Sequence, residues 1–391
     1  MAQSQASGNH RFPMISADIA YFFLFSRLAV LTPYFQLYLR ARGYSPSSVG
    51  ILLGCFSIAE VAGPLLIGRI ADRGQDYRLL LLSVLTASIV FILPFHFVSG
   101  LWLGIPLVTV FGLAARTTGS LTDAFVGRII ADPVHRYGYI RVWGSLGFIA
   151  TSLFLQVTKL VDGKSALSIL LALIATTLLA LGASALLPGG VLPLREKKSY
   201  PSDGFGKMRS PFWLGVTIIC LGYIGMASHY SFFSLYIQDT LGLSTVSLFW
   251  AVSTTAEVPF IFFSGSIIRR LGIAPAMAMS LAAIVVRLTI YALFPVYPVI
   301  LAAQLLHAFT FGLFHATSVA FIFTTVPEKH RATGMALFVS LSGSGGLFLG
   351  STVGGFIIEA WGFSVLYLLY AIPPLLALTL LMAKGKSFPN T

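Results

Sequence analysis

The stretch from Leu121 to Ser145 sets a carboxylate, Asp123, and a guanidinium, Arg141, in two apolar runs joined by a short basic turn. Other ionisable side chains stand in similar surroundings: Arg27, Glu60, Arg116, Glu257 and Arg287, with His229, His307 and His315. In a bilayer each charge costs roughly 2.5–3.5 kcal/mol on insertion scales, so seven left to lipid would cost on the order of 20 kcal/mol. That exceeds the net stability of a folded chain. Such groups persist where they pair, face water or grip a polar solute. Arginine offers a planar fork that matches a carboxylate. Histidine titrates near neutral pH and can carry or sense a proton. Catalysis is a poor fit, because the chain shows no nucleophilic triad, metal-ligand cluster or phosphate loop. His307 and His315 are not at the i, i+4 spacing of a helical metal pair; on an ideal α-helix they lie two turns apart, rotated by about 80°. No catalytic residue, metal or cofactor is expected.

Spacing groups some of these residues. Gly112, Arg116, Gly119 and Asp123 fall on one stripe of a helix. Arg116 and Asp123 are about 10 Å apart along its axis, so they should reach separate partners. Asp123 can pair with Arg141 across the turn, as a structural ion pair or as part of a binding site. Four arginines (Arg27, Arg116, Arg141, Arg287) stand against three carboxylates (Glu60, Asp123, Glu257). A carboxylate-bearing solute would complete the balance, and so would Asp18. Arg27 reads equally as structural or functional, and His229 sits in an aromatic run that suits packing. Tyr34, Tyr38, Trp143, Phe148, Tyr223, Tyr230 and Tyr236 are candidates to line a cavity and stack on a sugar or a benzene ring.

The elements that must hold these groups follow from composition. Of 391 residues, 57% are hydrophobic and 10% charged, against about 25% charged in soluble domains. Long runs with few charges read as membrane-spanning helices. Twelve are expected, over 15–39, 47–70, 79–98, 101–130, 139–160, 166–187, 211–238, 245–268, 273–294, 298–326, 333–358 and 363–383. The polar first residues and the long first apolar run argue against a cleavable signal peptide. The net charge of +12 reads as topology rather than nucleic-acid binding. Arg69, Arg73, Arg78, Arg128, Arg136, Arg269 and Arg270 fall on one side, with Arg40, Arg42, Lys159 and Lys164 on the other. By the positive-inside rule both termini are cytoplasmic. Cys55 and Cys220 read as small apolar core residues.

A segment rich in Pro, Gly, Ser and charge, 188–210, separates two expected six-helix bundles, 1–187 and 211–391. The bundles repeat. Ser57-Ile58-Ala59-Glu60-Val61 matches Thr254-Thr255-Ala256-Glu257-Val258, Phe111-Gly112-Leu113 matches Phe311-Gly312-Leu313, and the loop from Pro133 to Gly138 resembles that from Pro327 to Gly334. Two parallel six-helix repeats are a transporter arrangement with its site near the midplane between them. Gly343, Gly345, Gly346, Gly350, Gly354 and Gly355 crowd the eleventh helix, for close packing or for sliding.

These motifs resemble the major facilitator superfamily. Gly68-Arg69-Ile70-Ala71-Asp72-Arg73 is similar to its signature loop, with Gly74 one residue early. The resemblance implies a conformational switch at Gly68, Asp72 and Arg73. Nearly the whole chain resembles the oligosaccharide/proton symporter branch and, within it, the 3-phenylpropionic acid transporter group. The latter shares Thr122-Asp123-Ala124, Arg141-Val142-Trp143-Gly144-Ser145, Ala256-Glu257-Val258, Val285-Val286-Arg287 and a pair like His307 and His315. The resemblance implies substrate binding by Asp123, Arg141 and Glu257, with Phe148 at a stacking position, and proton coupling by Glu257, Arg287, His307 and His315; Arg116, on the stripe of Asp123, and Trp143, among the aromatic candidates, are further binding residues expected from the sequence. Thr310 departs from the branch, which carries its proton-holding glutamate there; Glu257 or His307 would have to take over.

The expectation is therefore an all-α protein of the inner membrane. It would bind a small-molecule substrate and a proton, work as a monomer in the lipid bilayer, and need no nucleic acid. Its activity would be proton-coupled symport of a sugar or an aromatic carboxylate by alternating access. The rival readings are an exporter of drugs or metabolites, and a non-transporting receptor or enzyme.

Overall fold

A computed structural model of the chain describes residues 2–71, 76–129, 133–190, 210–244 and 246–384. The first nine helices are α1 (Ala2–Ala41), α2 (Pro46–Ala71), α3 (Tyr77–Phe97), α4 (Leu101–Ile129), α5 (Pro133–Thr158), α6 (Ala166–Ala185), α7 (Ser210–Asp239), α8 (Ser247–Leu271) and α9 (Ile273–Leu293). The next, α10 (Tyr297–Thr325), is one apolar span. Its middle, Ala308–Leu313, is π-helical. The run Thr333–Lys384 is continuous by hydrogen bonding, but Gly362, at φ 80° and ψ −178°, breaks it into α11 (333–361) and α12 (363–384). That backbone conformation belongs essentially to glycine alone. A second π-helical turn, Phe338–Ser344, lies in α11. The protein is an all-helical, multi-pass membrane protein with twelve helices; most limits follow the hydropathy of the sequence, but α1 begins at Ala2 and α5 at Pro133, ahead of the apolar runs expected from 15 and 139.

Local chemistry explains the ends and the interruptions. Asp76 caps α3 by accepting from the Arg78 and Leu79 amides, and its other oxygen takes the Gly190 amide at 2.8 Å, pinning the turn after α6. Ser165 caps α6. Pro94, Pro106 and Pro259 sit inside helices, which membrane helices tolerate because neighbouring groups satisfy the freed carbonyls.

By compactness the chain forms two units. The first comprises Met1–Gly43, Ala59–Lys197 and Ser244–Ala251; the second comprises Tyr44–Ile58, Lys198–Leu243 and Val252–Thr391. In the first, α1 packs along α5 and α6, and α3 along α4 and α6. Tyr21, Leu24, Leu81, Leu85, Phe125 and Val126 are part of its buried centre. In the second, α7 and α9 pack along the Gly345–Lys384 stretch. There Gly346, Gly350 and Gly354 meet Tyr223, Ala227 and Phe232 of α7, a close-packing face of small residues.

The tightest approach in the first unit is Gly147 of α5 against the Phe22 backbone of α1, where any Cβ would overlap the carbonyl. Gly147→Val is expected to destabilise the protein by about 1–3 kcal/mol, the usual range for overpacking. Gly119→Ala, with no neighbour within 4 Å, should leave stability unchanged. Thermal unfolding in detergent checks both.

Candidate functional site

In the first unit, α1 organises the charged residues. Tyr21 and Phe25 lie one turn apart on it, their rings stacked at 6.3 Å. The Tyr21 hydroxyl donates to Asp123 Oδ1 at 2.5 Å. The Arg141 guanidinium lies over the Phe25 ring, 4.1 Å from its centroid. The expected pair across the turn is not formed: among the described residues no ion pair joins Asp123 to Arg141. The reason is packing. The α1 helix runs along α5, so adjacent residues of its aromatic face take the acid and the base separately. Arg116 reaches Glu60 on α2, Nη1 to Oε2 at 3.5 Å, with both side chains about a third exposed at 32% and 37%. Phe148 is buried and Trp143 is 45% exposed.

Arg27 is fully enclosed. It donates to Thr177 at 3.1 Å, to Ser88 at 3.3 Å, to Thr118 at 3.4 Å and to the Ala115 carbonyl at 3.5 Å. Every one of these partners is neutral. They lie on α3, α4 and α6, so Arg27 of α1 ties together four helices of the first unit, which is the structural role.

The second unit is built around another buried guanidinium. Arg287 of α9 donates from Nε to the Tyr291 hydroxyl at 2.7 Å. Its Nη1 serves His307 Nδ1 at 3.0 Å and Thr310 Oγ1 at 2.9 Å. Its Nη2 serves His229 Nε2 at 3.3 Å and Gln304 Oε1 at 2.7 Å. A guanidinium has five N–H donors, and these five contacts use them all. Since His307 Nδ1 accepts from Arg287, the imidazole hydrogen stands on Nε2, which points at Glu257 Oε2 3.4 Å away. Arg287, His307 and Glu257 thus form a directed chain from α9 through α10 to α8. Thr310, where the symporter branch carries an acid, is a hydrogen-bond partner of the arginine. His229, expected as a packed residue, belongs to this network and contacts Tyr291 as well.

The π-helical turn in α10 corrects the rotation expected between His307 and His315. Each π turn closes through i→i+5 bonds and holds more residues than an α turn. Residues 307, 311 and 315 therefore stay on one line. His307 stacks on Phe311 at 5.6 Å and 9°, and Phe311 on His315 at 5.6 Å and 19°. His315 Nδ1 lies 3.3 Å from the Tyr223 hydroxyl. Of the expected switch residues, Asp72 and Arg73 lie outside the described residues, and of Gly68 only its place in α2 is described.

Comparison with known proteins agrees with this architecture. The family model described as "MFS_1 like family" matches residues 14–369. A probable 3-phenylpropionic acid transporter of Escherichia coli (strain K12) is 25% identical over 382 residues, covering 95% of this chain and 97% of that protein. A maltose permease of Geobacillus stearothermophilus is 24% identical over 370 residues, covering 94% and 93%. Among solved structures, the nucleoside transporter NupG superposes with a TM-score of 0.80 at 17% identity, covering 95% of this chain and 99% of that one. A bacterial homologue of the human lysosomal transporter Spinster gives a TM-score of 0.70 at 13% identity, covering 97% of each chain. These likenesses show the fold.

Proposed function

We propose, because this chain belongs to the MFS_1 like family, a particular passenger and coupling for a protein that is a secondary transporter of a small solute. The passenger is a small aromatic carboxylate and the coupling is proton symport. Transport proceeds by alternating access of two six-helix halves, 1–187 and 211–391, with 188–210 as linker.

One observation supports the carboxylate above the others. Arg141 rests on the Phe25 ring rather than on an acid, so its planar N–H fork is available for a bidentate carboxylate. The ring beneath it offers an apolar contact to the same molecule. The E. coli relative, a probable 3-phenylpropionic acid transporter, points the same way. In this reading Asp123, Arg141 and Glu257 bind the solute, with Arg116, Trp143 and Phe148 close to it. Glu257 holds the proton. Arg287 and His307 position it, and His315 serves as a further proton station. Gly68, Asp72 and Arg73 form the switch. The protein works as a monomer in the inner membrane with both termini cytoplasmic.

A sugar is the second reading. The Asp123–Tyr21 bond is a carboxylate already engaged with a hydroxyl, the contact a sugar would make, and one relative is a maltose permease.

Uptake into proteoliposomes separates the two. Labelled 3-phenylpropionate should accumulate only under an inward proton gradient, and its addition should drive protons inward. Accumulation of maltose with no 3-phenylpropionate transport would overturn the carboxylate reading. Accumulation indifferent to the gradient would overturn the symport reading.

A further inference from the structure

The three stacked rings of α10 have a property that solute binding does not use. His307 is 5% exposed and hydrogen-bonded towards Glu257, while His315 is exposed. Between the two imidazoles lies one benzene ring, Phe311, nearly parallel to both. His307 cannot hand a proton along this line, because its Nδ1 already accepts from Arg287. A second proton there would sit against a guanidinium and displace that bond. Along α10, Phe311 is the ring that separates the His307–Glu257 contact from the exposed histidine. Other groups surround the stack, and the Glu257 side chain is itself 15% exposed. From α7, Tyr230 packs edge-on to Phe311 at 6.2 Å, Tyr223 engages His315, and His229 is held by Arg287. From α11, Phe338 covers His315 at 6.1 Å. From α8 and α9, the ionisable groups that meet this cluster are Glu257, Arg287 and Tyr291.

We propose that the Phe311 ring is a proton partition: it keeps the proton of Glu257 from discharging to His315 without a transport cycle. This rests on the symport reading, in which Glu257 is the proton site. The ring cannot accept or donate a proton, and its volume excludes the water that could. Without it, water entering the gap would take the proton from the Glu257 carboxyl, leaving the carboxylate, and pass it to His315 Nε2, which would release it to bulk solvent. The π-helical turn is what makes the partition fit. In a regular α-helix, residues i and i+8 drift apart by about 80°, so the three rings would fan out instead of standing in one line.

The test is passive proton flux through the full chain in phosphatidylethanolamine–phosphatidylglycerol vesicles holding a pH-sensitive dye. A potassium diffusion potential drives the flux, and no solute is added. Phe311→Ala is expected to raise proton entry about tenfold over the parent, the change made by lowering a barrier by roughly 1.4 kcal/mol. Adding His315→Gln to that variant should return the flux to the parent level. Phe311→Val, which keeps part of the bulk, should fall between, and it carries the test if the alanine variant does not assemble. Flux at the parent level in whichever of the two assembles would overturn the partition. So would a leak that His315→Gln leaves intact. The same parent vesicles, given 3-phenylpropionate, report solute-driven proton movement. Its absence would end the symport reading, whereas the partition is judged on the solute-free flux.

Discussion

Arg287→Met should abolish gradient-driven accumulation and lower thermal stability by several degrees. The substitution removes the hub of a buried network rather than a single bond. Five donors vanish at once, and Thr310, His307, His229, Gln304 and the Tyr291 hydroxyl lose their shared partner. Each buried acceptor left without its donor costs about 1–3 kcal/mol. His307 also loses the contact that fixes its tautomer, so its Nε2 hydrogen is no longer held towards Glu257. The informative control is Arg287→Lys. Lysine keeps the charge but offers a compact ammonium with three donors in place of a flat fork with five. It should recover part of the stability and little of the accumulation. Unfolding temperature and uptake measured side by side decide the matter. A lysine variant that transports like the parent would show that charge alone is required, and the geometric account would fail.

Arg141→Gln gives the other large effect, and it differs in kind. Among the described residues Arg141 has one ring beneath it and no acid upon it, so its removal costs the fold little. A cation–π contact is worth about 0.5–2 kcal/mol. Binding of 3-phenylpropionate should nevertheless fall roughly 100-fold, since truncating one partner of a hydrogen-bonded charge pair typically costs 2–5 kcal/mol. Asp123→Asn should weaken carboxylate binding less than Arg141→Gln does, because the arginine holds the charge, whereas it should weaken a sugar strongly. Tyr21→Phe frees the Asp123 carboxylate from its internal hydroxyl and should strengthen a sugar while leaving the carboxylate unaffected. Titration of purified protein by calorimetry tests all three. If Arg141→Gln and Asp123→Asn both bind every ligand as the parent does, the site has been placed on the wrong residues.

Hydropathy made the helices legible, because a bilayer forces long apolar runs, and it marked the intramembrane charges as anomalies needing partners. It did not say which partners. Asp123 and Arg141 are neighbours along the chain, yet each is met by α1, more than a hundred residues from either in the case of Asp123 and Tyr21; no local pattern encodes that. Arg287 and His307 were legible as ionisable groups in apolar runs, their link to Glu257 only through family resemblance, and the roles of His229, Tyr291 and Gln304 were not legible at all. A buried Gln or Tyr looks like packing until the guanidinium it serves is located. The π-helical turn was invisible for a related reason. Nothing in Ala308–Leu313 forbids an α-helix, and the wider turn shows only in the folded backbone. Asp76 is the opposite case. An acid just before an apolar run is a recognisable cap, and only its second bond, to the Gly190 amide, required the fold.

The glycine at 362 has a consequence for how the chain enters the bilayer. With a single residue between two spans, the ribosome delivers them with no intervening stretch that could be held on the far side while the second waits. Both must go in together, as a finished hairpin. That bend also offers no handle: a protease, an inserted epitope or a labelling reagent aimed there would find a corner rather than a loop.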